Sequence, residues 1–424
     1  MKTSSLLLLL LLAPLAHAAP GDDDLVVIRA GRVVTVSGAE HAPGTVVIRG
    51  GKVEAVGPRV EVPGRARVLD YPDGTLIPGL VLARTRLGLP GYDRAGNQAH
   101  LSAAPELSQL DPSAAARLLA RGVVLAGVIP AGGGVPGQAV AYRPGAGVVP
   151  GGGYLRVRFT DLPDDKRVLR EALRAAQTAI DKETAARADF EKKRAPSAAP
   201  PQPGATVAPV DTSAKFEPPP VVESLRPWVA LLKKDPAAPR LLVELGFAAT
   251  WVHLEEGFEK HPLFARVSLG NGASTDLDRV LDKIAARKPL ALCLSRLSFE
   301  ANTRTRRNLP ADLARGGARV ALLPPSDDDE GLGDWLAVVA LLVRDGLSRA
   351  DALKAMTLHP AELLGLEAET GSIEAGKRAD LVVLSGDPFE VGTEPVATLL
   401  GGAVVWAKPA DAAASDEDEE DAWR

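Results

Sequence analysis

The two ends of this chain carry the same kind of segment, and no other feature constrains the fold as much. Residues 25–60 alternate Val- and Ile-rich runs with glycine breaks: VVIRAGRVVTV, then TVVIRGGKVEAVG, punctuated by Gly31, Gly50, Gly51 and Gly57. Period-two apolar patterning interrupted by glycine reads as β-hairpins. Residues 371–408 have the same character, GSIEAGKRADLVVLSGDPFE followed by VATLLGGAVVWAK. Two β segments at opposite ends predict one small β unit closed by both.

Between them the period changes. Residues 112–121 read as a helix and 123–129 as a buried strand. Residues 164–194 form the longest helical pattern, with Leu169, Leu173, Ala176 and Ile180 at the 3.6 period and charges on the other face. Residues 241–246, 249–254, 265–269, 290–294 and 319–323 read as short buried strands or helix ends, and 334–343 and 348–356 as helices. Strands alternating with helices imply an α/β fold with a parallel sheet, open or closed into a barrel. Residues 195–220 are rich in Pro, Ala and Ser, the composition of a flexible or polyproline-like excursion.

The first 18 residues read as a secretory signal peptide. Lys2 supplies the positive start, residues 6–12 the apolar stretch, and Ala16-His17-Ala18 the small-x-small cleavage site. No later apolar run is long enough to span a bilayer. Cys293 is the only cysteine, so no disulfide can form within the chain. An exported protein without disulfides fits a bacterial periplasm, and Cys293, inside the apolar run PLALCL, reads as a buried small hydrophobe. The net charge is −5, carried by the acidic tail 411–424, whose seven carboxylates face Arg424 alone. The tail reads as solvated and disordered. The body is close to neutral, which argues against nucleic acid and anionic membrane surfaces as partners.

Two stretches carry a family resemblance. Residues 350–384 read ADALKAMTLHPAELLGLEAETGSIEAGKRADLVVL, and residues 76–88 read LIPGLVLARTRLG. The first resembles the closing helix and hairpin of the amidohydrolase superfamily, matching at Thr357, Pro360, Ala361, Leu364, Gly365, Gly371, Ser372, Ile373, Gly376, Lys377, Ala379 and Asp380. The second resembles that superfamily's first barrel strand, with Pro78, Gly79, Leu80, Ala83, Leu87 and Gly88 in place. Residues 105–130 and 134–142 resemble its exported, imidazolonepropionase-like branch. The resemblance implies a distorted (β/α)8 TIM-like barrel over 79–364 and a small composite β-sandwich from 22–78 and 365–410.

The resemblance also implies metal ligands at the C-terminal ends of the strands: His-x-His on strand one, a carboxylated Lys or Glu on strand four, His on strands five and six, and Asp on strand eight. Here Arg84 and Arg86 stand at the two strand-one imidazole positions and Leu82 at an expected Asp. A guanidinium is always protonated and has no lone pair to give a metal. Arg84 and Arg86 instead suit a carboxylate ligand, or salt bridges within the protein. For strand eight, the Asp position falls on Pro325, or on Asp327 after a shift of two; residues 327–330 also read as a solvated acidic loop. Residues 251–255 (WVHLE) fit strand five, making His253 and Glu255 ligand candidates, although a structural His253 explains the same sequence. Two readings follow. One is a degenerate family member with no metal, binding a small molecule or acting as a partner subunit, as a homo-oligomer or with an active relative. The other is a hydrolase of C–N bonds in cyclic amides or peptide-like substrates, using zinc or another divalent metal held by His253, Glu255 and Asp327, with Glu255 and Asp327 as catalytic candidates.

Overall fold

The computed structural model describes residues 25–61, 64–86, 88–91, 94–159, 163–194, 215–261, 263–269, 276–300 and 302–409. The expected signal segment, most of the Pro/Ala-rich excursion and the acidic tail lie outside these residues.

The two chain ends do build one sheet. Its strands are β1 (Leu25–Val34), β2 (Glu40–His41), β3 (Gly44–Arg49), β4 (Lys52–Gly57) and β5 (Arg67–Pro78). From the other end come β16 (Leu381–Leu384), β17 (Pro395–Leu400) and β18 (Ala403–Ala407). The order is β18-β17-β16-β5-β1-β3-β4, with β2 on β1; only β1 and β5 pair in parallel. The ladder folds over a single core in which Ile28, Val46 and Ile48 pack with Leu381, Val383 and Leu399. Gly402 in the β17–β18 turn lies so close to Ile48 that a Cβ there would fall 2.9 Å from its side chain.

The middle of the chain forms a second eight-stranded sheet. Its members are β6 (Leu80–Thr85), β7 (Val123–Val128), β8 (Gly137–Arg143), β9 (Gly147–Phe159), β10 (Leu241–Leu245), β11 (Arg266–Leu269), β12 (Leu290–Leu294) and β15 (Arg319–Leu323), in the order β15-β12-β11-β10-β9-β8-β7-β6. Every neighbouring pair is parallel except those of β8, which runs against β7 and β9. β15 returns against β6, so the sheet is a nearly closed, distorted barrel. A small hairpin, β13 (Ser298–Phe299) and β14 (Arg306–Arg307), lies outside it. The all-buried sequences of β7 (VVLAGV) and β10 (LLVEL) belong to strands covered on both faces.

Nine α-helices occur among the described residues: α1 (Ala114–Ala120), α2 (Pro163–Arg194), α3 (Arg226–Leu232), α4 (Ala248–Phe258), α5 (Leu281–Ala286), α6 (Leu309–Arg315), α7 (Asp329–Arg344), α8 (Arg349–Met356) and α9 (Leu358–Leu364). None is long and apolar enough to cross a membrane.

One expectation is overturned. Residues 251–255, fitted to strand five, belong to helix α4. Ala248, Trp251, Leu254 and Phe258 face inward at helical spacing, and Thr250 accepts from the Phe247 N–H at the helix start. The strand after β10 is β11, separated from the end of α4 by seven residues.

The C-terminal motif works as joinery. The Thr357 hydroxyl donates to Leu353 O at 2.7 Å, where α8 gives way to α9, and Gly365 ends α9 with φ +77°. Asp380, buried, ties barrel to sheet. Its carboxylate accepts from the Arg143 guanidinium of β8 and from Gly401 N–H, while its carbonyl accepts from Gly79 N–H at the entry to β6. The composite sheet is thereby fixed to the N-terminal ends of the barrel strands, which leaves the C-terminal ends free to form a mouth.

Candidate functional site

Arg84 lies on β6 and Glu244 on β10, four strands apart in an eight-stranded ring, so their side chains meet across the barrel interior. Arg84 Nη1 donates to Glu244 Oε1 at 3.4 Å. Arg156, from β9, grips the same carboxylate with two donors, Nε to Oε1 at 3.0 Å and Nη2 to Oε2 at 2.8 Å, and sends Nη1 to Pro130 O at 2.7 Å. This two-pronged geometry suits a guanidinium and a carboxylate. Below it, the Tyr154 hydroxyl of β9 donates to Ala83 O of β6 at 3.2 Å. The interior beneath the mouth is therefore filled by side chains from three strands.

The electrostatics follow from burial. Burial alone would raise the Glu244 carboxyl, but the charges of Arg156 and Arg84 outweigh it and hold its pKa at about 2. Burial works against the Arg156 charge as well, yet Glu244 beside it leaves that pKa raised. Tyr154 is pushed well up, by burial first and by the Glu244 charge second. At neutral pH the cluster is an ionised carboxylate between two guanidiniums, with a neutral phenol below.

Arg86 points elsewhere. It follows the end of β6, and its Nη1 donates to Glu106 Oε2 at 2.9 Å and to Ile129 O at 2.7 Å, while Nη2 reaches the carbonyls of Leu89 and Pro90. Arg94 pairs with the other Glu106 oxygen at 2.8 Å. The two arginines at the expected imidazole positions thus serve different carboxylates.

Asp327, four residues past β15, reaches the end of β6. It accepts from the Arg86 N–H at 2.8 Å and from the Thr85 hydroxyl, tying the barrel's first and last strands together at the mouth. Pro325, the other strand-eight candidate, has no side-chain donor or acceptor. The next acids are structural: Asp328 caps α7 by accepting from Gly331 N–H at 2.8 Å, and Asp329 pairs with Arg117 of α1 at 3.1 Å. A cleft of about 230 Å³ lies beside them, lined by Thr85, Arg117, Asp327 and Asp329 among others.

His253 and Glu255 do not join this site. His253 sits on the solvent side of α4, 44% exposed, and Glu255 pairs with Arg287 just after α5 at 3.3 Å. Among the described residues, no three of His, Cys, Asp and Glu form a group able to hold a metal. The mouth itself does not fit one. Its central carboxylate is engaged on both oxygens by cations that cannot be deprotonated, and Arg84 stands where an imidazole is expected.

Sequence reading missed Glu244, Arg156 and Glu106. A signal was available: Glu244 in LLVEL and Arg156 in YLRVRF are charges inside apolar strands, and such charges need partners. Glu244 also lies on the fourth parallel strand counted from β6, where the resemblance expects an acid.

Comparison with known proteins places this geometry in context. The amidohydrolase family profile matches residues 334–406. An imidazolonepropionase from Symbiobacterium thermophilum is 34% identical over 136 residues, which are 29% of this chain and 30% of that protein. The chain thus aligns with under a third of that relative's length. Among solved structures, an amidohydrolase from Thermotoga maritima superposes with a TM-score of 0.61 at 24% identity, covering 90% of this chain and 100% of that one. A second amidohydrolase gives 0.51 at 13% identity, covering 91% and 100%. These two likenesses speak for the fold.

Proposed function

We propose that this chain is an exported member of the amidohydrolase superfamily without hydrolytic metal chemistry, one that binds a small ligand or serves as a subunit of a complex. The observation that carries the reading is the clamp on Glu244 by Arg156 and Arg84 inside the barrel mouth. Metal-assisted hydrolysis needs a cation that lowers the pKa of its bound water toward ~7. A cation placed here would face two permanent positive charges and would have to take Glu244 from a bidentate partner. Among the described residues no imidazole hydrogen-bonds to or pairs with Glu244, Glu106 or Asp327; His359 meets Val320 O and His253 meets Glu256. A partner would be a second copy of this chain or an active relative, and the compartment a bacterial periplasm after removal of residues 1–18.

The test is the metal content of the mature protein, measured by elemental mass spectrometry after export into a periplasm supplemented with zinc and manganese. Essentially no bound metal, with no hydrolysis of a broad panel of cyclic amides and dipeptides, is the expected result. About one or two tightly held metals per chain, with hydrolysis abolished by a chelator, would overturn the reading and point to an active C–N hydrolase.

A further inference from the structure

At the end of the barrel opposite the mouth lies a groove of about 780 Å³, within the size range of small-molecule sites. One wall is the β8–β9 hairpin, the other the segment from α3 to the start of β10. Two observations set this groove apart.

The first is charge. Among the described residues, the charged ones lining it are Arg226 and Arg240. Neither side chain makes a hydrogen bond or ion pair with a described residue. Arg240 is partly buried, and its guanidinium packs over Gly365, where a Cβ would fall 2.1 Å away. Arg266 at the start of β11 is pushed down by burial first and by the charge of Arg240 second, with Glu362 and Glu367 acting the other way. A partly buried guanidinium without a partner, such as that of Arg240, forgoes the strong hydrogen bonds it is shaped to make; Arg226 at the rim is exposed.

The second is a distortion of the opposite wall. Val140 of β8 pairs with Gly153, and the next residue, Ala141, pairs with Val149, so Pro150, Gly151 and Gly152 have no counterpart on β8. This bulge lines the groove. Gly153, at φ +140°, restarts the ladder in a conformation side chains rarely adopt. The rest of the lining is mostly apolar, with Val140, Val149, Pro227 and Pro239.

We propose that this groove is a binding site for a small organic carboxylate with an apolar body, its anionic oxygens taken by Arg240 and Arg226 and its body lying along the bulge. Arg84, Arg156 and Glu244 do not line this groove, so the assignment stands whether or not the barrel carries out hydrolysis.

The experiment is isothermal titration of the full mature protein with phenylacetate, phenylacetamide and inorganic phosphate, on the parent and on Arg240→Gln, Arg226→Gln and Arg84→Ala. Phenylacetate is expected to bind saturably, the neutral amide not to bind, and phosphate to bind more weakly. Arg240→Gln is expected to weaken phenylacetate binding about tenfold or more, the loss of a charge-assisted hydrogen bond. Arg226→Gln, at an exposed position, is expected to weaken it in the same direction, and Arg84→Ala to leave it unchanged. Equal binding of the amide would remove the role of charge, and equal binding of phosphate the role of the apolar body. Absence of phenylacetate binding, or loss of binding in Arg84→Ala alone, would overturn the assignment.

Discussion

Glu244→Gln is the sharpest probe of the barrel interior. The substitution keeps the shape of the side chain and deletes one negative charge, leaving the guanidiniums of Arg84 and Arg156 facing each other across the barrel. Two routes give its cost. Removing one partner of a buried ion pair destabilises by about 3–5 kcal/mol. The interval between an ordinary glutamate at 4.5 and the folded value of about 2 corresponds to about 3 kcal/mol. At roughly 2 °C per kcal/mol for a large chain, the melting temperature at pH 7 should fall by about 6–10 °C. The pH dependence supplies the second reading. A carboxyl depressed in the folded state contributes its stability fully above the unfolded value and loses it as pH falls through the folded one. The parent's advantage over Glu244→Gln should therefore be complete at neutral pH, begin to shrink below about 4.5 and be more than half gone by about pH 3. Circular dichroism melts of parent and variant at pH 7, 5 and 3 measure this. A variant within about 1 kcal/mol of the parent at pH 7, or a gap that does not change between pH 7 and 3, would refute the idea that an ionised Glu244 is clamped in the interior.

Other outcomes follow from the same geometry. Gly127→Ala on β7 would place a Cβ 2.2 Å from Ala83 O, a backbone atom that cannot step aside, and 2.8 Å from the Leu364 side chain; a loss of about 3 kcal/mol in denaturant unfolding is expected, and a neutral result would contradict the close approach of β6 and β7. Asp327→Ala removes the side-chain acceptor of the Arg86 N–H and of the Thr85 hydroxyl and should cost about 1–3 kcal/mol, with faster amide exchange at Arg86; protection unchanged from the parent would count against the tie. The Cys293 thiol, pushed up to about 12 by burial, should resist a thiol reagent in the native protein and react only after unfolding. The double variant Arg84→His, Arg86→His should gain no zinc over the parent, because Arg156 still holds both Glu244 oxygens; stoichiometric zinc in that variant would mean that the two strand-one arginines alone block the site.

What the sequence disclosed, and what it did not, divides along the range of the interactions. The C-terminal motif was legible because its residues act locally: Thr357 bonds back one helical turn, Gly365 takes a left-handed cap, and Gly376 gives its N–H to Val53 O where the turn docks on β4. Arg84 and Arg86 stood out because they interrupt an otherwise matching frame. Their partners did not, since Glu244 is 160 residues from Arg84 and no spacing rule links them. The segment around His253 was misplaced for another reason. A short apolar run is compatible with either period, and what decides for helix is the inward spacing of Trp251, Leu254 and Phe258, which becomes evident only when the run is extended past Glu255.

The same division explains how a family likeness over residues 334–406 coexists with a mouth that holds Arg84 and Arg86. The residues that carry the likeness, from α7 through β18, build the closing helices and the joint to the composite sheet. Asp380, Arg143 and Gly79 meet where the parallel strands begin, not where they end. In barrels of this kind the strand-starting face carries stability and the strand-ending face carries chemistry. A substitution at the mouth is thus felt mainly by its partners there, and the mouth must balance its own charges. Arg84 and Arg156 share Glu244, Arg86 and Arg94 share Glu106, and Asp327 spends both oxygens on Thr85 and the Arg86 backbone. With Arg117, Asp328 and Asp329 of the adjoining cleft, five cations meet five anions. A metal cation offered to Glu244 meets Arg84 and Arg156 already on its oxygens, and this is the physical content of the proposal that the barrel binds without hydrolysing.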